Sequence, residues 1–133
     1  MSAAKLIIRD ESTGGEVSEA ITLEFLTDEI SVRELVRERV FQEVKDHNAK
    51  KGETFFRGLV QPTEAEKTLN GFKLKKPRLL DWKPQFETAC EAFEKNAIIV
   101  LIDDKQAESL DDRLKITPST DVAFLKLTPL VGG

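Results

Sequence analysis

The sequence predicts an α+β fold in which a mixed sheet surrounds one main helix, with an ordered insertion that contains a second helix. Three observations support this prediction. Residues 21–25 alternate between apolar and polar side chains, which is the period of a strand with one solvated face. A capped amphipathic stretch begins at Ser31. Finally, residues 97–102 form an apolar run that precedes a last strand-like run at 122–127.

The first two strands are predicted to form an antiparallel hairpin. Residues 5–9 are a short run rich in β-branched side chains, and turn-forming residues follow at 11–15. In the next run Ile21, Leu23 and Phe25 alternate with polar neighbours.

The main helix is predicted from both of its ends. Ser31 and Glu34 have the spacing of a capping box, in which each side chain accepts a free backbone N–H group. Lys50, Lys51 and Gly52 are typical of a helix C-terminus. Between these ends one apolar stripe is formed by Val32, Leu35, Val36, Val40 and Val44.

Residues 51–95 are predicted to be an ordered insertion, because they are too apolar for a disordered linker. A short helix is expected near residues 62–69. A second amphipathic helix is expected to begin near residues 81–84, since apolar side chains recur at helical spacing at Phe86, Ala89, Cys90 and Phe93.

The last two strands are predicted to lie inside the sheet. Residues 97–102 are apolar throughout, and the terminal strand is expected to pair with the first strand, where it is protected. Its side chains form two alternating sets, one containing Val122 and Phe124 and the other containing Ala123, Leu125 and Leu127. One set must face the helix. The other, together with Leu101, is predicted to form a partner-docking surface unless the insertion covers it.

Length and composition exclude several classes of protein. A chain of 133 residues is the size of one domain, here 1–133, and its net charge of −4 argues against general nucleic-acid binding. No apolar run reaches the ~18–20 residues that cross a membrane, and no secretion signal is recognisable. The single cysteine fits a reducing cytoplasm. One His and one Cys cannot form a zinc site and leave little for nucleophilic catalysis, so we expect no enzyme activity.

The chain closes with a short arm, residues 128–133, that ends in Gly132-Gly133. Without side chains, two glycines allow a carboxylate to enter a slot too narrow for other residues. The arm could reach about 20 Å when extended, at ~3.3–3.6 Å per residue. Leu130 and Val131 would fill small pockets, and Pro129 lowers the ordering cost on binding.

The order of these elements resembles the β-grasp of ubiquitin-like proteins. The run ITLEF at 21–25, which leads to the Ser31 helix, resembles ubiquitin's second strand and helix entry, and KQAESL at 105–110 resembles the loop after its third strand. The end, DVAFLKLTPLVGG at 121–133, resembles the sulfur carriers of the molybdopterin and thiamin pathways. The resemblance covers residues 4–50 and 96–133; with its insertion the chain looks most like modifiers of bacterial conjugation operons that work in antiphage defence.

This resemblance implies chemistry at the carboxylate of Gly133. An E1-like activating enzyme would adenylate it with ATP and Mg²⁺, and an enzyme thiol would then form a thioester. An E2-like conjugating enzyme would pass the acyl group to lysines of target proteins, and a protease would reverse the modification. The chain itself would bind no cofactor and no metal, and its partners would include neither nucleic acid nor membrane.

Two other functions remain open from the sequence. A sulfur carrier would convert Gly133 to a thiocarboxylate, but it would have no need of a large ordered insertion. A β-grasp interaction module would make the two glycines incidental.

Other notable residues have structural interpretations. Cys90 is expected to be a buried structural thiol, and His47 is expected to be a solvated or dipole-facing residue at the polar end of the first helix. The basic group Lys73, Lys75, Lys76 and Arg78 is expected to be a solvated loop, with contact to an acidic partner as the alternative. The pairs at 103–104 and 111–112 lack the spacing of a calcium loop and are interpreted as turn residues.

Overall fold

A computed structural model of the chain describes residues 4–12, 20–68 and 71–127. Within these ranges it contains two helices and ten strands, which confirms the predicted α+β class. In chain order the elements are β1 (Ala4–Ser12), β2 (Ile21–Phe25), β3 (Glu29–Ser31), α1 (Val32–Asn48), β4 (Phe55–Phe56), β5 (Ala65–Thr68), β6 (Gly71–Leu74), α2 (Trp82–Glu94), β7 (Ile98–Ile102), β8 (Lys105–Gln106), β9 (Arg113–Lys115) and β10 (Val122–Lys126).

The described residues divide into two compact units. The sheet unit contains those up to Leu35 and those from Cys90 onward, and the insertion unit is Val36–Ala89. The second unit therefore begins inside α1, earlier in the chain than the insertion predicted at 51–95.

The sheet unit is built on a five-stranded mixed sheet with the order β2-β1-β10-β7-β8. β1 and β2 form the predicted antiparallel hairpin. β10 lies between β1, with which it is parallel, and β7, with which it is antiparallel. The predicted pairing of the first and last strands is thus confirmed, and both occupy the interior of the sheet.

One face of this sheet forms the core of the sheet unit. Ile8, Val122 and Ile102 lie side by side in register, and Asp10, Phe124 and Val100 form the next row. Since side chains alternate between faces, these residues share one face, on which Asp10 and Ile102 are half-buried and the others are buried. The least exposed are Leu6, Ile8, Leu23, Val100, Val122 and Phe124. Burying each of these side chains contributes roughly 1.5–3 kcal/mol.

The start of α1 has the predicted capping box. The Glu34 N–H donates to Ser31 Oγ at 3.1 Å, and the Ser31 N–H donates to Glu34 Oε1 at 3.4 Å. The next two amides donate to carbonyl oxygens of the loop before β9, Val32 to Asp112 and Arg33 to Leu110. β3 pairs with β9, which brings that loop to the helix. The capping box and the loop before β9 therefore supply acceptors for N–H groups of the first turn of α1.

The insertion unit has a three-stranded sheet with the order β4-β6-β5. The prediction of a helix near residues 62–69 is wrong, because Ala65–Thr68 is a strand paired antiparallel with β6. All four of its residues have partners in β6, whereas a helix of similar length would have to overcome the cost of nucleation alone. The second helix, α2, begins at Trp82 as predicted.

Side chains bonded to backbone groups join the segments of the insertion unit. Asn48, the last residue of α1, accepts the Leu80 N–H at 2.8 Å and donates to the Leu80 carbonyl at 3.0 Å. Gln85 donates to the Val60 carbonyl at 3.1 Å. Glu43 accepts the Leu59 N–H at 2.9 Å with one oxygen and the Arg39 Nε–H at 2.6 Å with the other. These bonds satisfy buried polar groups that would otherwise be costly.

His47 is buried, so its predicted solvated position is wrong. It is 6% exposed, and its ring meets Phe56 of β4 edge-to-face at 5.4 Å. Burial lowers the pKa of His47, opposed by the charge of Glu53 and by a hydrogen bond with the backbone of Arg78. Cys90, expected to be buried, is half-buried.

Candidate functional site

The outer face of the five-stranded sheet carries the predicted docking residues. By register Ala123 lies between Arg9 and Leu101, and Leu125 lies between Glu11 and Ile99. Val122 and Phe124 occupy the opposite, buried face. The division of the last strand into two alternating sets therefore matches the sheet, with the set Ala123, Leu125 and Leu127 on the outer side.

The members of this set differ in exposure. Leu101, Leu125 and Leu127 are half-buried, so each keeps part of its side chain at the surface. Ala123 is only 1% exposed, and its small side chain lies below those of its neighbours. Accessible apolar area on this face therefore comes from the leucines and not from Ala123.

Two further apolar residues lie on this face, and they were not predicted from the sequence. Ile7 is 60% exposed and lies on the outer side of β1, and Ile99 is half-buried beside Leu125. The signal was present, because Ile7 has the opposite parity to the buried Leu6 and Ile8. The sequence alone does not show which of the two alternating sets of β1 faces the core.

A cluster of charged residues borders the apolar side chains. The guanidinium of Arg9 donates from Nη2 to Asp121 Oδ2 at 3.1 Å, from Nη1 to Asp121 Oδ1, and from Nε to Glu11 Oε1 at 3.0 Å. Its hydrogen bond to Asp121 holds the pKa of that carboxyl below its ordinary value. The site thus combines half-buried leucines and the exposed Ile7 with an ion pair that stays charged, as the rim of an interface does.

The end of β10 is held in place where the chain leaves the sheet. The Leu127 N–H donates to the Ala97 carbonyl at 3.0 Å, and Lys126 Nζ lies 4.0 Å from Asp10 Oδ2. The predicted activation tail, namely Pro129, Leu130, Val131, Gly132 and Gly133, lies outside the described residues. Any chain that follows Leu127 therefore starts from a fixed point at the edge of the docking face.

The aspartate pairs occupy turns. Asp103 and Asp104 connect β7 to β8 with φ of 50° and 67°, and Asp103 Oδ1 accepts the Asp121 N–H at 2.8 Å. Asp112 accepts the N–H groups of Glu108 and Ser109, and Asp111 pairs with Arg33 at 2.9 Å. In the part of the chain that the structure describes, no group of three His, Cys, Asp or Glu residues is placed to hold a metal ion.

The comparisons with known proteins do not add to this picture. No family model, no curated protein and no solved structure matches the chain. Neither of the two described helices is long and apolar enough to cross a membrane. The function has to be inferred from the chain's own residues.

Proposed function

We propose that the chain is a ubiquitin-like protein modifier with an enlarged β-grasp, activated at the carboxylate of Gly133. The observation that carries the proposal is the placement of β10. It is paired in parallel with β1 in the interior of a mixed sheet, and it follows a hairpin and a capped helix in the order expected of that fold. Gly132-Gly133 follows this strand after a short arm.

The proposed chemistry takes place on the carboxyl carbon of Gly133. A carboxylate oxygen attacks the α-phosphorus of ATP bound with Mg²⁺ to an E1-like enzyme, which forms the acyl-adenylate and releases pyrophosphate. A cysteine thiolate of the enzyme then attacks the carbonyl and releases AMP. After transfer to an E2-like enzyme, a target lysine amine attacks the thioester, and an isopeptide bond forms as the thiol leaves. A protease would hydrolyse that bond.

The outer face of the sheet is the proposed docking surface for the activating and conjugating enzymes. Leu125 lies beside Ile99 and Ala123 beside Leu101 on this face, and the end of β10 is anchored to the same sheet. An enzyme bound to this face would hold the end of β10 in place. The short arm after Leu127 would then have to span only the distance from the docking surface to the enzyme's active site.

A sulfur carrier is the second candidate, because residues 121–133 resemble those carriers. In that reaction a sulfur donor replaces AMP on the acyl-adenylate and leaves a C-terminal thiocarboxylate. A β-grasp interaction module, which would use the docking face without tail chemistry, is the third.

Mass spectrometry distinguishes these functions. The chain is tagged at its N-terminus, produced in its native host and purified with and without Gly133. A modifier gives higher-mass adducts and, because Lys126 is the last tryptic site, a remnant of residues 127–133 on target lysines after trypsin digestion. A carrier gives replacement of one oxygen by sulfur. The intact mass also establishes where the mature chain ends. Finding neither product, with unchanged partner binding after deletion of Gly133, would exclude both forms of tail chemistry.

The docking face is tested with a matched pair of variants. Leu101→Ser should reduce conjugate formation, because it removes apolar area from the proposed interface. Leu26→Ser is the control, since Leu26 is 93% exposed and lies between β2 and β3 in the same unit. Equal conjugation by the two variants would remove this face from the proposal while leaving the tail chemistry in place.

A further inference from the structure

The two units of the chain carry opposite charge. The sequence Val36–Ala89 contains 12 Lys and Arg against 8 Asp and Glu, a net formal charge of +4. The remaining residues contain 8 against 16, a net of −8. An overall charge of −4 therefore conceals two surfaces that attract each other when they belong to different molecules.

Residues 75–79, the basic segment, contain three of the twelve Lys and Arg residues of the insertion unit and no Asp or Glu. Lys75 and Lys76 are exposed, and Leu79 is 76% exposed between the half-buried Arg78 and the buried Leu80. Leu74 precedes the segment and Leu80 follows it, and both are buried. The segment therefore presents two cations and one leucine from an anchored backbone.

Hydrogen bonds hold the backbone of the basic segment at both ends. The Leu74 N–H donates to the Thr54 carbonyl at 2.8 Å, and Asn48 binds both backbone groups of Leu80. The guanidinium of Arg78 donates a hydrogen bond to the Thr63 carbonyl, so Arg78 helps to hold the basic segment in place. A segment held in this way loses little conformational entropy when it binds a partner.

The sheet unit contains a pocket of complementary chemistry. An open cavity of about 350 Å³ has the buried side chains of Phe93 and Leu110 in its lining, together with the exposed carboxylates of Glu94, Glu108 and Asp111. Asp111 pairs with Arg33, so Glu94 and Glu108 are the carboxylates best placed to receive lysines. Phe93 and Leu110 are only 6% and 4% exposed, so the accessible lining is mainly polar. With three carboxylates against the one guanidinium of Arg33, the pocket matches a segment that presents lysines.

We infer that the basic segment of one copy docks into this pocket of a second copy. The complementary charges and the exposed Leu79 favour this occupant over a nucleic acid. Leu79 has no aromatic face on which a base could stack. The nearby ring of Phe55 already lies under the guanidinium of Arg57, at 5.6 Å. Such a contact joins two different surfaces. Each copy in a pair therefore has one of its two surfaces still available, and larger assemblies form as the protein concentration rises.

Sedimentation velocity tests the inference with the purified chain alone. The weight-average sedimentation coefficient should rise with protein concentration at low salt and should fall when sodium chloride is raised, because salt screens exposed charges. The double variant Lys75→Glu/Lys76→Glu should weaken association by about tenfold or more. Lys50→Glu/Lys51→Glu is the matched control, as both lysines are exposed in the same unit and the change in net charge is equal.

Mixing variants tests which surfaces meet. Glu94→Lys/Glu108→Lys blocks the pocket and Lys75→Glu/Lys76→Glu blocks the segment, so each should sediment as a monomer. Their mixture should associate, because the intact segment of the first variant can enter the intact pocket of the second. Leu79→Ser should also weaken association, whereas Leu26→Ser should not. Circular dichroism of each variant confirms that the fold is retained.

Three outcomes would overturn the inference. The wild-type chain could remain monomeric at every concentration at low salt. The Lys75→Glu/Lys76→Glu variant could associate as well as the wild type. A fluorescent single-stranded oligothymidylate could bind the monomer and lose affinity in that variant, which would assign the segment to nucleic acid. Deletion of Gly132-Gly133 should not change self-association, so the inference stands or falls independently of the proposed tail chemistry.

Discussion

The sheet unit and the insertion unit are stabilised in different ways. In the sheet unit β1, β2, β7 and β10 pair over five residues each, and its described core is apolar. All three buried polar side chains found in the described residues, Arg39, His47 and Gln85, belong to the insertion unit. Strands of two to four residues make few ladder bonds, so the insertion unit depends on specific side-chain hydrogen bonds.

A sheet unit with an apolar core offers a rigid platform from which β10 leads to the arm. The insertion unit, with its short strands and charged surface, carries the basic segment on which the proposed self-association depends. The two units should therefore respond differently to mutation, and the predictions below compare them.

The largest effect is expected in the sheet unit. Phe124 is fully buried in β10. Phe124→Ala should lower the free energy of unfolding by about 3–5 kcal/mol, since it removes a large side chain and leaves a cavity. Urea denaturation measures this. Phe41→Ala is the control in the other unit, because Phe41 is already 39% exposed; a similar loss in both variants would contradict the assigned core.

The next effect concerns the buried ion pair of the insertion unit. Arg39 is 2% exposed and its Nε lies 2.6 Å from Glu43 Oε1. Glu43→Ala should destabilise the protein by about 3 kcal/mol, because it leaves a buried guanidinium without this partner. Gln42→Ala, which removes the exposed bond to Asp46, should have little effect.

Hydrogen exchange followed by mass spectrometry locates the effect of Glu43→Ala. Protection should fall first in Val36–Ala89, while β1, β7 and β10 keep theirs. Equal loss of protection throughout the chain would mean that the two units unfold as one, and the proposed difference between them would be wrong.

A smaller effect should depend on pH. Burial lowers the pKa of His47 in the folded state. The charges of Lys50 and Arg78 lower it further, and the charge of Glu53 opposes them. The unfolded state therefore takes up its proton first, and stability should fall as the pH drops below about 6.5. Urea midpoints measured from pH 8 down to the lowered folded pKa should show this loss. His47→Phe should reduce the slope; an unchanged slope would assign it to other groups.

The smallest effect is a stabilisation. Asp103 and Asp104 both adopt positive φ in the two-residue turn between β7 and β8, a conformation that favours glycine at the second position. Asp104→Gly should raise the free energy of unfolding by about 0.5 kcal/mol. Asp103 is kept because its carboxylate accepts the Asp121 N–H. A decrease in the thermal midpoint would show that the Asp104 side chain has a role of its own.

The sequence by itself determined the longer elements of the sheet unit, because their signals are local, whereas the short strands β3, β8 and β9 were not predicted. The capping box of Ser31 and Glu34, the alternation of residues 21–25 and the apolar strand at 98–102 can all be read within a few residues. The pairing of the first and last strands was also predictable from the need to protect a terminal strand.

Only the tertiary structure decided which residues meet across the insertion unit. The run at 65–68 is a strand because β6 pairs with it, and His47 is buried because Phe56 of β4 packs on its ring. The outward position of Ile7 depends likewise on the register of β1 against β10. Each of these outcomes is set by a partner distant in sequence, and local periodicity contains no information about that partner.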